Sequence, residues 1–222
     1  MTTRLTILLL LGTMLSTSAP AQKKMTTYDS LREQLYVIDN NDEIYRNQMD
    51  NTIRQYGGDS KEMKALLKKM SKADSVNLLQ VTAIIEKYGW LGPDQVGSEG
   101  SGTLFMVIQH ADKKTRKKYL PLMQEAVTNG KAKPAELALL EDRVALEEGR
   151  RQRYGSQIGW NVKTNTYVLA PLEDPDSVDQ WRAARGLGPL ADYLKENFKL
   201  VWDVEKYKKE NPPPPPNSSP RH

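Results

Sequence analysis

The 222-residue chain contains no cysteine. That excludes disulfides, thiol nucleophiles, cysteine-ligated zinc and iron–sulfur clusters together. Histidine is nearly as scarce, for there are two and one of them, His222, is the last residue. A multi-histidine metal site is therefore excluded, and no metal or cofactor is expected. Long apolar runs are missing beyond the N-terminus: mean hydropathy is −0.64 and 27% of residues are charged, so no later segment reads as a bilayer span. A strong charge excess is missing too. Lys+Arg number 32 against 28 Asp+Glu, a formal +4, which is too mild for a nucleic-acid surface. Present instead are 38% apolar residues, a low-normal share for a globular protein, in a chain long enough to bury one core.

Both ends read as separate from that core. Residues 1–21 have the order of a secretory signal peptide: Arg4, an apolar run from Leu5 to Leu15, then Ala19-Pro20-Ala21 as an A-x-A-like cleavage site. The run is too short for a transmembrane helix, and with no cysteine after it a lipid anchor is not available. Export without cysteine fits a bacterial envelope, periplasmic or extracellular, better than an oxidising eukaryotic exterior. Residues 211–222, NPPPPPNSSPRH, hold 6 of the 13 prolines and read as a solvated, disordered tail that cannot join a packed core. One helical domain is expected over residues 25–210.

Within that body the fold class expected is mainly α, irregular, with one small β-hairpin near residues 161–169. A capping box, Ser30 to Glu33, opens a helix expected to run to Tyr56, where Gly57-Gly58 stops it. Its inward stripe is Leu31, Leu35, Ile38, Asp42, Tyr45, Met49, Ile53 and Tyr56. Asp42 is out of character there, since a bare buried carboxylate costs several kcal/mol unless paired. Arg46, one turn on, is in reach of an intrahelical pair; the other reading is a shifted stripe with Asp42 in water. Asp59-Ser60 is expected to open a short helix to Met70, and Asp74-Ser75 another to Tyr88, closed by Gly89. A glycine-bearing loop is expected over 90–101. Helices follow over 103–111, 115–128 and 134–148, and then over 178–185 and 190–198. Alternating β-branched and aromatic residues around Thr164-Asn165 signal the hairpin between them.

Several short motifs occur in order: Gly89-Trp90, Val96-Gly97, Gln109-His110-Ala111-Asp112, Glu141-Asp142-Arg143, then Gln152, Tyr154-Gly155-Ser156-Gln157. Pro171 to Asp174, Arg182, Arg185-Gly186-Leu187 and the pair Asp42 and Arg46 extend the series. In this order the chain resembles a bacterial family known as domain of unknown function 6624, often exported and of this size. It departs from that pattern at Leu91-Gly92-Pro93, where the family tends to have proline directly after Gly-Trp. The resemblance implies neither a substrate nor a reaction.

The chemistry open to these residues is limited. His110 is the one group of the body whose ordinary pKa lies near neutrality, and it stands at a helix C-terminus, where the dipole favours a cation. If the motifs meet, His110 would be a general base beside Asp142 and Arg143 as catalytic partners. Asp42, Arg46, Gln109, Gln152, Tyr154 and Gln157 would then be ligand-binding groups. Three readings stay open. The leading one is a pocket for a polar small molecule, peptide or envelope component. The others are a metal-independent hydrolase or transferase, and a buried hydrogen-bond network that only fixes the fold. There is no G-x-S-x-G elbow, P-loop or H-E-x-x-H. The run of Lys113, Lys114, Arg116, Lys117 and Lys118 reads as a solvated face, with an anionic envelope polymer as the alternative partner. The sequence names neither the ligand nor an oligomeric state.

Overall fold

A computed structural model of the chain describes residues 26–161, 164 and 166–212. The expected signal segment and all but the first two residues of the proline-rich tail lie outside the described residues, as do Val162, Lys163 and Asn165. The fold is mainly α with one small antiparallel hairpin.

Helix α1 spans Thr27–Arg46. It starts earlier than the Ser30–Glu33 signal because another capping box precedes it. The Thr26 hydroxyl accepts the Asp29 N–H at 3.1 Å and the Asp29 carboxylate accepts the Thr26 N–H at 3.0 Å. The single helix expected to Tyr56 is broken at Asn47-Gln48, where the Asn47 N–H is shared between the Glu43 and Tyr45 carbonyls; α2, Met49–Tyr56, follows and buries no residue. Leu31, Leu35, Ile38 and Asp42 are the buried stripe, so the inward register holds through α1 and fades at the break.

The two helices expected over 59–88 are one, α3, Lys61–Tyr88. No glycine or proline interrupts it, and Ser75 donates back to the Ser71 carbonyl at 2.8 Å instead of capping a new start. The expected loop over 90–101 is largely helix as well. Pro93 stands in the first turn of α4, Pro93–His110, which kinks at Gly97 with φ 77° and ψ 165°. Glycines here permit close packing as well as turning: a Cβ on Gly100 would stand 3.3 Å from Leu35 of α1. Helices α5, Lys113–Thr128, and α6, Pro134–Glu147, follow the expected ranges.

Strands β1, Ile158–Asn161, and β2, Thr166–Leu169, pair antiparallel with Ile158 opposite Leu169 and Asn161 opposite Thr166. Helices α7, Val178–Ala184, and α8, Leu190–Phe198, close the expected set. A further helix, α9, Val204–Glu210, carries no periodicity signal; it is capped by Asp203, which accepts the Lys206 N–H at 3.0 Å.

Two apolar clusters organise these elements. The larger joins α1, α3, α4, α5 and α6 through side chains such as Leu35, Ile38, Val81, Leu104, Ile108, Met123 and Leu140. The smaller joins β2, α7, α8 and α9 through Leu169, Leu172, Val178, Leu190, Leu194 and Tyr207. Between them runs the segment 149–157, whose buried residues are Gln152, Tyr154, Gly155 and Ser156.

Candidate functional site

Helices α1, α3 and α4 bring four ionisable side chains together. Asp42 is only 3% exposed. Its carboxylate accepts a two-pronged contact from Arg46, Nε at 3.0 Å and Nη2 at 3.2 Å, as spacing on one helix face allows. Arg46 Nη2 also reaches Asp74 Oδ1 of α3 at 2.5 Å. From the end of α4, His110 Nδ1 lies 3.1 Å and 2.9 Å from the two Asp42 oxygens. An N–H at Nδ1 donating to that carboxylate leaves Nε2 as the nitrogen turned away from it, an arrangement that fixes tautomer and ring orientation. Burial pushes the Asp42 carboxyl up, but the bonds and charges of His110 and Arg46 outweigh it and hold the group below the usual carboxylate value. Asp74 is raised, by burial first and by the Asp42 charge, against the pull of Arg46.

The second assembly is built on α6 and the 149–157 segment. Asp142, 1% exposed, accepts the backbone N–H groups of Arg153 at 2.7 Å and Tyr154 at 3.0 Å on one oxygen and of Ser156 at 2.9 Å on the other. Burial nonetheless raises its pKa against these bonds. Gln152 is fully buried, donating to the Gln157 and Ala170 carbonyls at 3.0 and 2.8 Å and accepting the Gln157 N–H at 2.8 Å. The Tyr154 hydroxyl donates to Glu141 at 3.1 Å and accepts from Arg185 at 3.0 Å. Glu141, Asp142, Tyr154 and Arg185 line one side of a cleft of about 270 Å³ that Arg150, Arg151 and Arg153 also border.

Arg143 joins the two assemblies. Its Nε donates to Gln157 Oε1 at 2.9 Å and its Nη1 to the Gln109 carbonyl at 3.4 Å, one residue before His110. That same carbonyl accepts from Arg116 at 3.2 Å. The basic run of α5 is therefore not merely a solvated face. Arg116 is 8% exposed and forks onto Glu147, while Lys117 pairs with Glu148 at 2.8 Å and Lys118 with Glu86 at 3.3 Å.

The expected residues thus fall into two groups. His110, Asp42, Arg46, Arg143, Gln157 and the Gln109 main chain form a continuous polar path. Asp142, Gln152 and Tyr154 belong to the loop assembly, and among the described residues no hydrogen bond or ion pair joins His110 to Asp142 or Arg143. The carboxylate against the imidazole is Asp42. Sequence reasoning missed Asp74, read there as a helix cap, and Glu147; no local spacing signals either, because their partners lie 28 and 31 residues away. The Gln109 side-chain carbonyl is buried with no hydrogen-bond partner. Among the described residues there is no helix long and apolar enough to cross a membrane and no cluster of metal-ligating side chains.

Fold and site together define a mainly helical domain with a buried carboxylate–imidazole pair tied to an arginine-bridged loop. The chain belongs to a family of unknown function (DUF6624), which it matches over residues 29–204. No curated protein and no solved structure matches it.

Proposed function

We propose that this is an exported bacterial envelope protein that binds a polar small molecule, peptide or envelope component at the junction of its three polar motifs. The observation that carries the reading is the double contact of Arg143, which touches the Gln109 carbonyl and the Gln157 side chain at once and so makes neighbours of residues 109–112, 141–143 and 152–157. Export rests on Arg4, the apolar run to Leu15 and Ala19-Pro20-Ala21. The test is a thermal-shift screen of the mature chain against envelope metabolites, wall fragments and short peptides. A hit whose shift disappears in Arg143→Gln supports the site; silence across the panel counts against it.

A second reading has its own observation. The Asp42 carboxylate against His110 Nδ1 supports a general-base reading, since a carboxylate that accepts an N–H there leaves Nε2 to take a proton, as acid–base catalysis requires. A metal-independent hydrolase or transferase would lose turnover in His110→Gln while keeping ligand affinity. Loss of affinity with no turnover in the wild type supports binding alone.

A further inference from the structure

Of the three arginines at this junction, Arg143 is the one that no carboxylate touches among the described residues. Arg116 is neutralised by Glu147, and Arg46 by Asp42 and Asp74. Arg143 meets only neutral acceptors, the Gln157 amide oxygen and the Gln109 carbonyl, and among the described residues it has no carboxylate within ion-pair distance and no partner for Nη2. It is part-buried. Burial first, then the positive charges of Arg116 and Arg46, lower its pKa against the opposing pull of the Glu147 charge, yet a guanidinium remains charged in a protein. Capping α4 does not account for it, because Arg116 already serves the Gln109 and Ala111 carbonyls. The orientation is also imposed from outside. Gln157 is held by the Leu139 carbonyl at 3.3 Å and the Ser156 hydroxyl at 2.9 Å, which presents its oxygen to Arg143.

A part-buried, oriented cation with no carboxylate in contact and one guanidinium edge without a protein partner is a receptor for an anion. We infer that Arg143 anchors an oxyanion of the ligand, a carboxylate or a phosphate, through the guanidinium edge that no protein group occupies. The inference rests on the ligand-site reading above and narrows its chemistry from polar to anionic. Arg46 and Arg116 stay paired with their own acids, so the attraction comes from Arg143 itself, and the rigid Gln157 contact lowers the ordering cost of binding.

Calorimetric titration of the full chain at fixed ionic strength tests this, with sodium phosphate, sodium acetate and a neutral monosaccharide as probes. Phosphate or acetate is expected to bind, the preferred anion telling tetrahedral from planar recognition. Arg143→Gln is expected to weaken it roughly ten- to hundredfold, and Arg143→Lys by less. Arg54→Gln, on the exposed surface of α2, is expected to leave it unchanged. Urea midpoints check that each variant folds; should Arg143→Gln fail, movement of the Arg143 Nε–H resonance during anion titration of the wild type replaces it. Anion binding indifferent to Arg143 overturns the inference. Binding of the sugar but of neither anion overturns it while sparing the ligand-site reading, and silence toward all three probes overturns it too, the ligand-site reading then being decided by the wider screen above.

Discussion

Both oxygens of Asp142 are saturated by main-chain donors, so its first effect is on the 149–157 segment. Asp142→Asn keeps one oxygen for Arg153 and Tyr154 but turns an NH₂ group toward the Ser156 N–H, setting donor against donor. A loss of about 1–3 kcal/mol is expected, as for a buried group left unsatisfied, read as a lower urea midpoint; an unchanged midpoint would mean the three bonds contribute nothing net. Arg46 is the complementary case. Its side chain is 22% exposed, so the roughly 3–5 kcal/mol typical of breaking a buried pair needs discounting for solvent screening. Arg46→Ala leaves Asp74 without its cation and Asp42 with His110 alone, and a loss of about 1–3 kcal/mol is expected. Asp42→Asn, which keeps hydrogen bonding, should be milder, and an order reversed in chemical denaturation would refute this account of the pair. The Asp42–Arg46 contact was legible in the sequence because both residues lie on one helix face four apart. Asp74 and Glu147 were not, since their pairing depends on how separate helices dock, and docking leaves no mark at local spacing.

Glycine decides where elements meet, and two positions show different reasons. Gly97 has φ 77° at the kink of α4, and a Cβ there would meet nothing closer than an Arg32 nitrogen at 3.7 Å, so its requirement is conformational. Gly155 has φ 67° and in addition a Cβ there would stand 2.8 Å from Leu190 of α8. Gly155→Ala is therefore expected to cost more than Gly97→Ala, the latter about 1 kcal/mol and the former greater by a packing strain of about 1–3 kcal/mol. Thermal unfolding of the two variants side by side checks the order; equal shifts would mean α8 yields freely. Most helices were legible from apolar periodicity and caps, α5, α6 and α8 above all. The errors share a cause. Asp74-Ser75 carries the residue types of a helix start, but with no glycine or proline to stop α3 the chain runs through and Asp74 serves Arg46 instead. The glycines between 92 and 102 carry loop composition, yet they support a kinked helix because α1 packs closely against it. Helix α9 is too short for periodicity to register, and a tertiary contact secures it: the Tyr207 hydroxyl accepts the Leu172 N–H at 2.6 Å.

Across the whole molecule, acid stability is set by carboxylates that act in opposite directions. Asp39, Asp74 and Asp142 are raised in the folded state, each by burial first. Their contribution is complete below the unfolded carboxylate value and is lost as pH rises through the folded one. Asp42, Asp112, Asp174 and Glu148 are lowered. Their contribution is complete above the unfolded value and is lost as pH falls through the folded one. Glu148 offers the clearest window, because Lys117 at 2.8 Å and Arg150 at 2.7 Å hold its carboxyl down to about 2 from an ordinary 4.5. It ties the end of α6 to α5 and to the segment that carries the loop assembly. Glu148→Gln removes that titration while leaving the other shifted carboxylates in place, so the difference between variant and wild type isolates it. The wild type is expected to be the more stable of the two at about pH 7, with the gap in urea midpoint constant down to about pH 5. Between pH 4.5 and 2 the gap should close, as protonation removes the charge that Lys117 and Arg150 attract. Added salt near neutral pH should narrow it as well, since these are solvent-accessible charges. A gap that persists unchanged from about pH 7 to about pH 2 would show that the glutamine alters packing, and that the pairing of Glu148 with its two cations adds nothing to the fold.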